Sequence, residues 1–161
     1  MLRSNVVWLC VALIGFAFLG GATCATAQIV ALGASNTASE YPAELEKMLR
    51  AKGQNVHVAN AGVSGDTTGG MLARLDSAVP SGTRVVILQP GANDRRRGEA
   101  SSTAEIVARL QQRGIKVVML GNAMIGAIPP QFHRPDRIHL TPEGYRLLAA
   151  AVLPRVLAAL R

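Results

Sequence analysis

Cysteine is nearly absent from this chain. Of 161 residues only two are Cys, and both, Cys10 and Cys24, precede residue 28. A disulfide framework for the rest of the chain is thereby excluded, so a hydrophobic core must hold it together. Aromatic residues are also scarce, at 4%. Past residue 27 they are Tyr41, Phe132 and Tyr145, too few and too scattered to form a stacking platform for bases. Nucleic acid is therefore not an expected partner, despite a net charge of +7. The imbalance, 17 Lys and Arg against 10 Asp and Glu, leaves an anionic substrate or an anionic surface open as partners.

Long apolar runs are missing beyond residue 27, so no stable membrane insertion is expected there. The one uncharged apolar stretch, Val6 to Leu19, follows Arg3 and runs into small residues ending in Ala25-Thr26-Ala27. It is short for a span of about 20 residues and has the three parts of a cleavable signal. The expectation is a signal peptide over residues 1–27, cleaved before Gln28, and an exported, periplasmic or secreted, domain over residues 28–161. An uncleaved N-terminal anchor is the alternative. No linker, repeat or low-complexity segment divides that domain. With 49% hydrophobic and 17% charged residues, the chain as a whole is too apolar to be disordered.

Two kinds of segment alternate along it. Ile29–Leu32, Val56–Ala59, Val85–Leu88 and Ile115–Leu120 are short and rich in β-branched residues, as suits strands covered on both faces. Between and after them, Leu45, Met48 and Leu49, then Met71, Leu72 and Leu75, then Ile106, Val107 and Leu110, and finally Leu147, Leu148, Ala151 and Val152 have helical spacing. Gly53 and Gly114 stand where helix C-caps want a left-handed residue. Thr141-Pro142-Glu143 is a helix start, and Pro154 is expected to kink or break the helix that follows. The alternation predicts an α/β fold with a parallel sheet between helices. In such sheets ligands bind where loops leave the carboxyl ends of the strands.

Those loops carry the polar residues. Gly33-Ala34-Ser35-Asn36-Thr37 is a turn that presents a hydroxyl, and it matches neither phosphate-binding glycine pattern. As an isolated turn, it would be an ordinary cap. Asn60 to Thr67 contains Gly62 and Gly65, whose backbone permits close approach and whose N–H groups can face a developing negative charge. Pro90-Gly91-Ala92-Asn93-Asp94 offers an uncharged amide donor. Asp136-Arg137-Ile138-His139 sets a carboxylate three residues before an imidazole, close enough to hold its ring nitrogen. His133, Asp136 and His139 are a metal alternative, weakened because all three come from one stretch with no second cluster. Arg95-Arg96-Arg97 reads either as a solvated run or as a rim that attracts anions.

Taken in order, the Ser35, Asn60–Thr67, Gly91–Asp94 and Asp136–His139 blocks resemble the SGNH (GDSL) hydrolases, and most closely their exported arylesterase, thioesterase and lysophospholipase branch. The resemblance implies a three-layer flavodoxin-like α/β/α fold. It also implies a serine hydrolase with Ser35 as nucleophile, His139 as general base and Asp136 as its orienting acid. The oxyanion donors would be the N–H groups of Ser35 and Gly65 and the amide of Asn93. A small-molecule carboxylic ester is the implied substrate, with no metal or organic cofactor. Lysophospholipase or thioesterase activity, or an inactive binder of cell-envelope glycan or lipid, are the alternatives.

The chain departs from the family pattern in two places. Ala34 and Asn36 stand where the pattern has Asp and Leu, and only Gly121 to Pro135 separate the last strand from Asp136. A sheet of four strands is expected, a fifth being doubtful. The apolar members of that short segment, Met124, Ile125, Ile128 and Phe132, are the candidate substrate wall. A shallow cleft favouring short acyl or aryl esters follows.

Overall fold

The computed structural model describes residues 29–161, so the expected signal segment lies outside the described residues. Four strands, β1 (Ile29–Gly33), β2 (Val58–Gly62), β3 (Val85–Gln89) and β4 (Lys116–Met119), form one sheet in the order β2-β1-β3-β4, and all neighbours run parallel. No fifth strand occurs among the described residues. The helices are α1 (Tyr41–Ala51), α2 (Thr68–Ala73), α3 (Leu75–Ala78), α4 (Asn93–Arg97), α5 (Thr103–Gln112), α6 (Asn122–Gly126) and α7 (Pro142–Leu160).

Alternation along the central strands splits the core in two. Ile29, Ala31, Val85 and Ile87 point to one face, where they pack with α1 and α7 through Leu45, Leu49, Tyr145, Leu148 and Val152. Val30, Leu32, Val86 and Leu88 point to the other and meet Met71, Leu75, Ile106 and Leu110. Two apolar faces on one strand are what a continuous run of β-branched residues encodes, and both are covered. Each large side chain so buried contributes about 1.5–3 kcal/mol.

Three expectations are corrected. β2 begins at Val58, and it and β4 are edge strands with exposed residues such as Asn60, Lys116 and Met119. Full cover on both faces belongs to β1 and β3 alone. The Met71–Leu75 pattern forms two short helices that meet at Arg74, whose side chain leaves the helical face to bind Asp66 and the carbonyls of Gly33 and Ala61. Finally, α7 runs unbroken through Pro154 to Leu160, while its buried face uses Ala149 rather than Ala151. An interior proline costs about 3 kcal/mol. Burial of Val156 and Leu160 beyond it offsets that cost, and the Arg84 guanidinium donates to the Leu160 carbonyl at 2.8 Å.

The other punctuation is as expected. Gly53 and Gly114 close α1 and α5 at φ of +76° and +72°. Thr141 caps α7 by accepting from the Gly144 N–H at 3.2 Å. The chain steps from β1 outward to β2 and then back across to β3, so β1 and β3 flank the switch point at which the cleft opens.

Candidate active site

The turn after β1 is set by contacts from beneath. Gly33 has no room for a Cβ, which would strike the Thr37 hydroxyl and Gln89. Gln89, at the end of β3 and 2% exposed, accepts from the Ala34 N–H and from the Thr37 hydroxyl, each at 3.1 Å, through one oxygen. The chain then reverses, with the Thr37 and Ala38 N–H groups returning to the Ala34 carbonyl. Ser35 is left half-buried at the apex, on the cleft. No acceptor among the described residues takes its N–H.

From the opposite side comes the loop before α7. It is closed at its base by a bridge between His133 and Leu140 and by the Arg134 N–H to the His139 carbonyl at 2.8 Å. His139 Nε2 lies 2.9 Å from Ser35 Oγ, and its Nδ1 lies 2.7 Å from Asp136 Oδ2. The other oxygen of Asp136 accepts from the Ile138 and His139 N–H groups, both at 2.9 Å. The hydrogen bond from His139, then the two backbone donors, hold the Asp136 carboxyl well below the usual carboxylate range. The acid is therefore an anion at neutral pH, and it orients the ring with Nδ1 protonated and Nε2 free to accept from the serine.

The other two blocks complete the cleft, whose volume is about 380 Å³. Gly65 adopts φ of +75°, and its N–H also lacks an acceptor among the described residues. Asn93 donates one N–H of its amide to the Asp66 carbonyl at 2.7 Å, which fixes the group on the cleft with the second N–H uncommitted. Asp94 ties the two loops together by accepting from the Thr68 N–H and hydroxyl at 2.8 and 2.9 Å. Three donors and a hydroxyl thus belong to residues that line one cavity, an arrangement suited to an ester carbonyl and the oxyanion it becomes.

Of the four candidate wall residues only Ile125 lines this cleft. Met124 and Phe132 pack against the α1–α7 core, and Ile128 is buried in it, because the segment after β4 folds inward to cover α7. The metal alternative does not assemble. His133 Nε2 bonds the Ile128 carbonyl at 2.9 Å, and no group of three or more His, Cys, Asp or Glu among the described residues is placed to hold a metal ion. Gln89, Arg74 and Tyr145 support the site without having been singled out by sequence, and Asp94, named there only as part of its block, joins them.

The chain belongs to the GDSL-like lipase/acylhydrolase family, whose model matches residues 25–135. That match stops just before Asp136, so the acid and base rest on the geometry above. An arylesterase of Vibrio mimicus is 33% identical over 121 residues, 67% of this chain and 60% of the relative. Esterase TesA of Pseudomonas aeruginosa is 35% identical over 92 residues, 53% of this chain and 46% of the relative. The chain thus spans about half the length of these curated relatives. Among solved structures, AlinE4, an SGNH-hydrolase family esterase, superposes with a TM-score of 0.58 at 27% identity, covering 83% of this chain and 96% of that one.

Proposed function

We propose that the protein is an exported serine esterase that hydrolyses carboxylic esters through an acyl-enzyme on Ser35. The observation that carries this reading is the unbroken hydrogen-bond line from Ser35 Oγ through His139 to Asp136, at 2.9 and 2.7 Å. His139 Nε2 takes the hydroxyl proton as Oγ forms its bond to the ester carbonyl carbon. The carbonyl electrons move onto oxygen, where the N–H groups of Ser35 and Gly65 and the amide of Asn93 receive the charge. Collapse breaks the bond to the leaving alcohol, which departs with the proton from His139. Water, deprotonated by the same nitrogen, then cleaves the acyl-enzyme to release the acid and restore the serine.

Short acyl or aryl esters fit best. Within the cleft Ile125 is the only one of the four candidate wall residues, so a long tail finds little apolar surface there on which to gain its roughly 0.8 kcal/mol per methylene. A second reading, an anionic ester such as a lysophospholipid, is favoured by one observation. Arg96 and Arg137 line the cleft, and no Asp or Glu does. Hydrolysis of p-nitrophenyl esters from two to sixteen carbons, by wild type and Ser35→Ala, tests both. Serine-dependent turnover falling beyond about eight carbons supports the short-chain reading. A rise toward long chains favours the lipid, and turnover unchanged in Ser35→Ala overturns the mechanism.

A further inference from the structure

Asn36 and Tyr145 take no part in the reaction as drawn, yet both are buried, at 6% and 0% exposed. The Asn36 amide donates from Nδ2 to the Ile138 carbonyl at 3.2 Å, and the Tyr145 hydroxyl donates to Asn36 Oδ1 at 3.0 Å. A carbonyl can only accept, so the amide must turn its NH₂ toward Ile138, which leaves the oxygen for the tyrosine. The Ile138 carbonyl therefore fixes which way Asn36 faces, and the Tyr145 hydroxyl holds the amide oxygen from the other side.

The bond to Ile138 matters because of what that carbonyl is joined to. It shares one planar peptide unit with the His139 N–H, which donates to Asp136 Oδ1 at 2.9 Å. The peptide preceding the imidazole is thus gripped at both ends, by the acid on its N–H and by Asn36 on its oxygen. Gripping both ends fixes the direction in which the His139 side chain leaves the backbone. The loop needs such a grip. Arg137, next in chain to Asp136, has φ of +57°, the one left-handed backbone among the described residues other than glycine, and such a conformation persists only where its surroundings hold it.

We propose that Asn36 is a positioning residue for His139: a latch from the serine turn to the imidazole loop, with Tyr145 as the brace that holds its other end. It acts through the backbone of the loop and touches no reacting atom. The family pattern has Leu at this position, which has no donor, so the latch is tied to this chain's departure from that pattern.

The inference rests on the esterase reading, since turnover is its measure, and the two fail in different samples. A wild-type protein without turnover and without fluorophosphonate labelling would overturn the esterase reading. In an active wild type, kcat and KM for p-nitrophenyl butyrate are compared with melting temperature in Asn36→Leu, Tyr145→Phe and the double variant. Asn36→Leu should lower kcat about 10–100-fold with KM within about twofold, as expected for a misaligned base. It should also lower the melting temperature, because the Tyr145 hydroxyl is left buried and unpaired. Tyr145→Phe should lose only about threefold in kcat, since the Asn36 donor remains.

The double variant separates positioning from folding. Removing the orphaned hydroxyl should bring the melting temperature back toward wild type while kcat stays at the Asn36→Leu level. If kcat recovers together with stability, or if Asn36→Leu stays within about threefold of wild type, the latch is overturned. Should Asn36→Leu fail to fold, the double variant, whose Leu and Phe form a matched apolar pair, carries the same test.

Discussion

The turn that carries Ser35 and the loop that carries His139 are held in different ways. The first sits on the middle of the sheet, with its glycine pressed against β3 and its buried polar groups satisfied by Gln89. The second projects from the start of α7, and Asp136 to Ile138 are exposed. It depends on its own hydrogen bonds, a left-handed Arg137 and the contact with Asn36. In the turn, stability and reactivity draw on the same contacts. In the loop they can come apart, because little of the core rests on it.

The largest effect should come from cutting the line between the two regions. Ser35→Ala or His139→Ala is expected to lower kcat by about 10⁴-fold or more while leaving the melting temperature near wild type, because neither side chain is part of the core. Circular dichroism melts beside ester turnover check this. Retained activity in either variant would mean that the pair does not act as a unit. Next comes Asp136→Asn, with an expected loss of about 10³-fold in kcat. Asp136 orients the ring without reacting, and its side chain is 45% exposed, so water can replace part of its stabilisation of the imidazolium. Little change in melting temperature should accompany the loss.

Asn93→Ala removes one oxyanion donor and should cost about 10²–10³ in kcat with KM nearly unchanged. A raised KM with kcat intact would make it a ground-state contact. Gln89→Leu acts on the serine turn instead. It strands the buried Ala34 N–H and Thr37 hydroxyl, so the whole domain should lose about 1–3 kcal/mol, read from urea unfolding. An unfolding midpoint equal to wild type would show that the turn does not depend on that oxygen.

The smallest effect concerns pH. The Asp136 carboxyl is depressed by its bond to His139 and by two backbone donors. A depressed carboxyl supports the folded loop fully above the ordinary carboxylate range, and that support is lost as pH falls through the folded value. The Asp136 carboxyl should therefore show no protonation step of its own between pH 7 and about 4 when followed by its carboxyl carbon resonance, and a step centred near the ordinary value of about 3.9 would contradict the contacts described.

Most of what could be read in the sequence was local. β-branched runs gave the central strands, glycines at left-handed positions gave the helix ends, and the order of the loop blocks pointed to Ser35, Gly65, Asn93, Asp136 and His139. What stayed hidden depends on contacts between distant segments. Gln89 at a strand end has no signature of its own, and neither has Arg74, which reaches Gly33 and Ala61 from the junction of two short helices where its neighbours' spacing predicts one. Met124, Ile128 and Phe132 show the same limit from the apolar side, since a hydrophobic residue in a short segment can face the cleft or the core. Here Ile128 lies in the core on the α1–α7 side of the sheet, and Met124 and Phe132 pack against it. Asn36 stood out only as a departure from a pattern, and its role needed the carbonyl it meets across the cleft.

The mechanism proposed above requires that Ser35 form a covalent intermediate with the help of His139. A fluorophosphonate reacts with an activated serine and stays attached, so one labelling measurement with the adduct mapped by peptide mass spectrometry addresses it directly. A single adduct on Ser35 in the wild type and a far slower reaction in His139→Ala are expected. A folded wild-type protein left unlabelled, or an adduct on another residue, would contradict it.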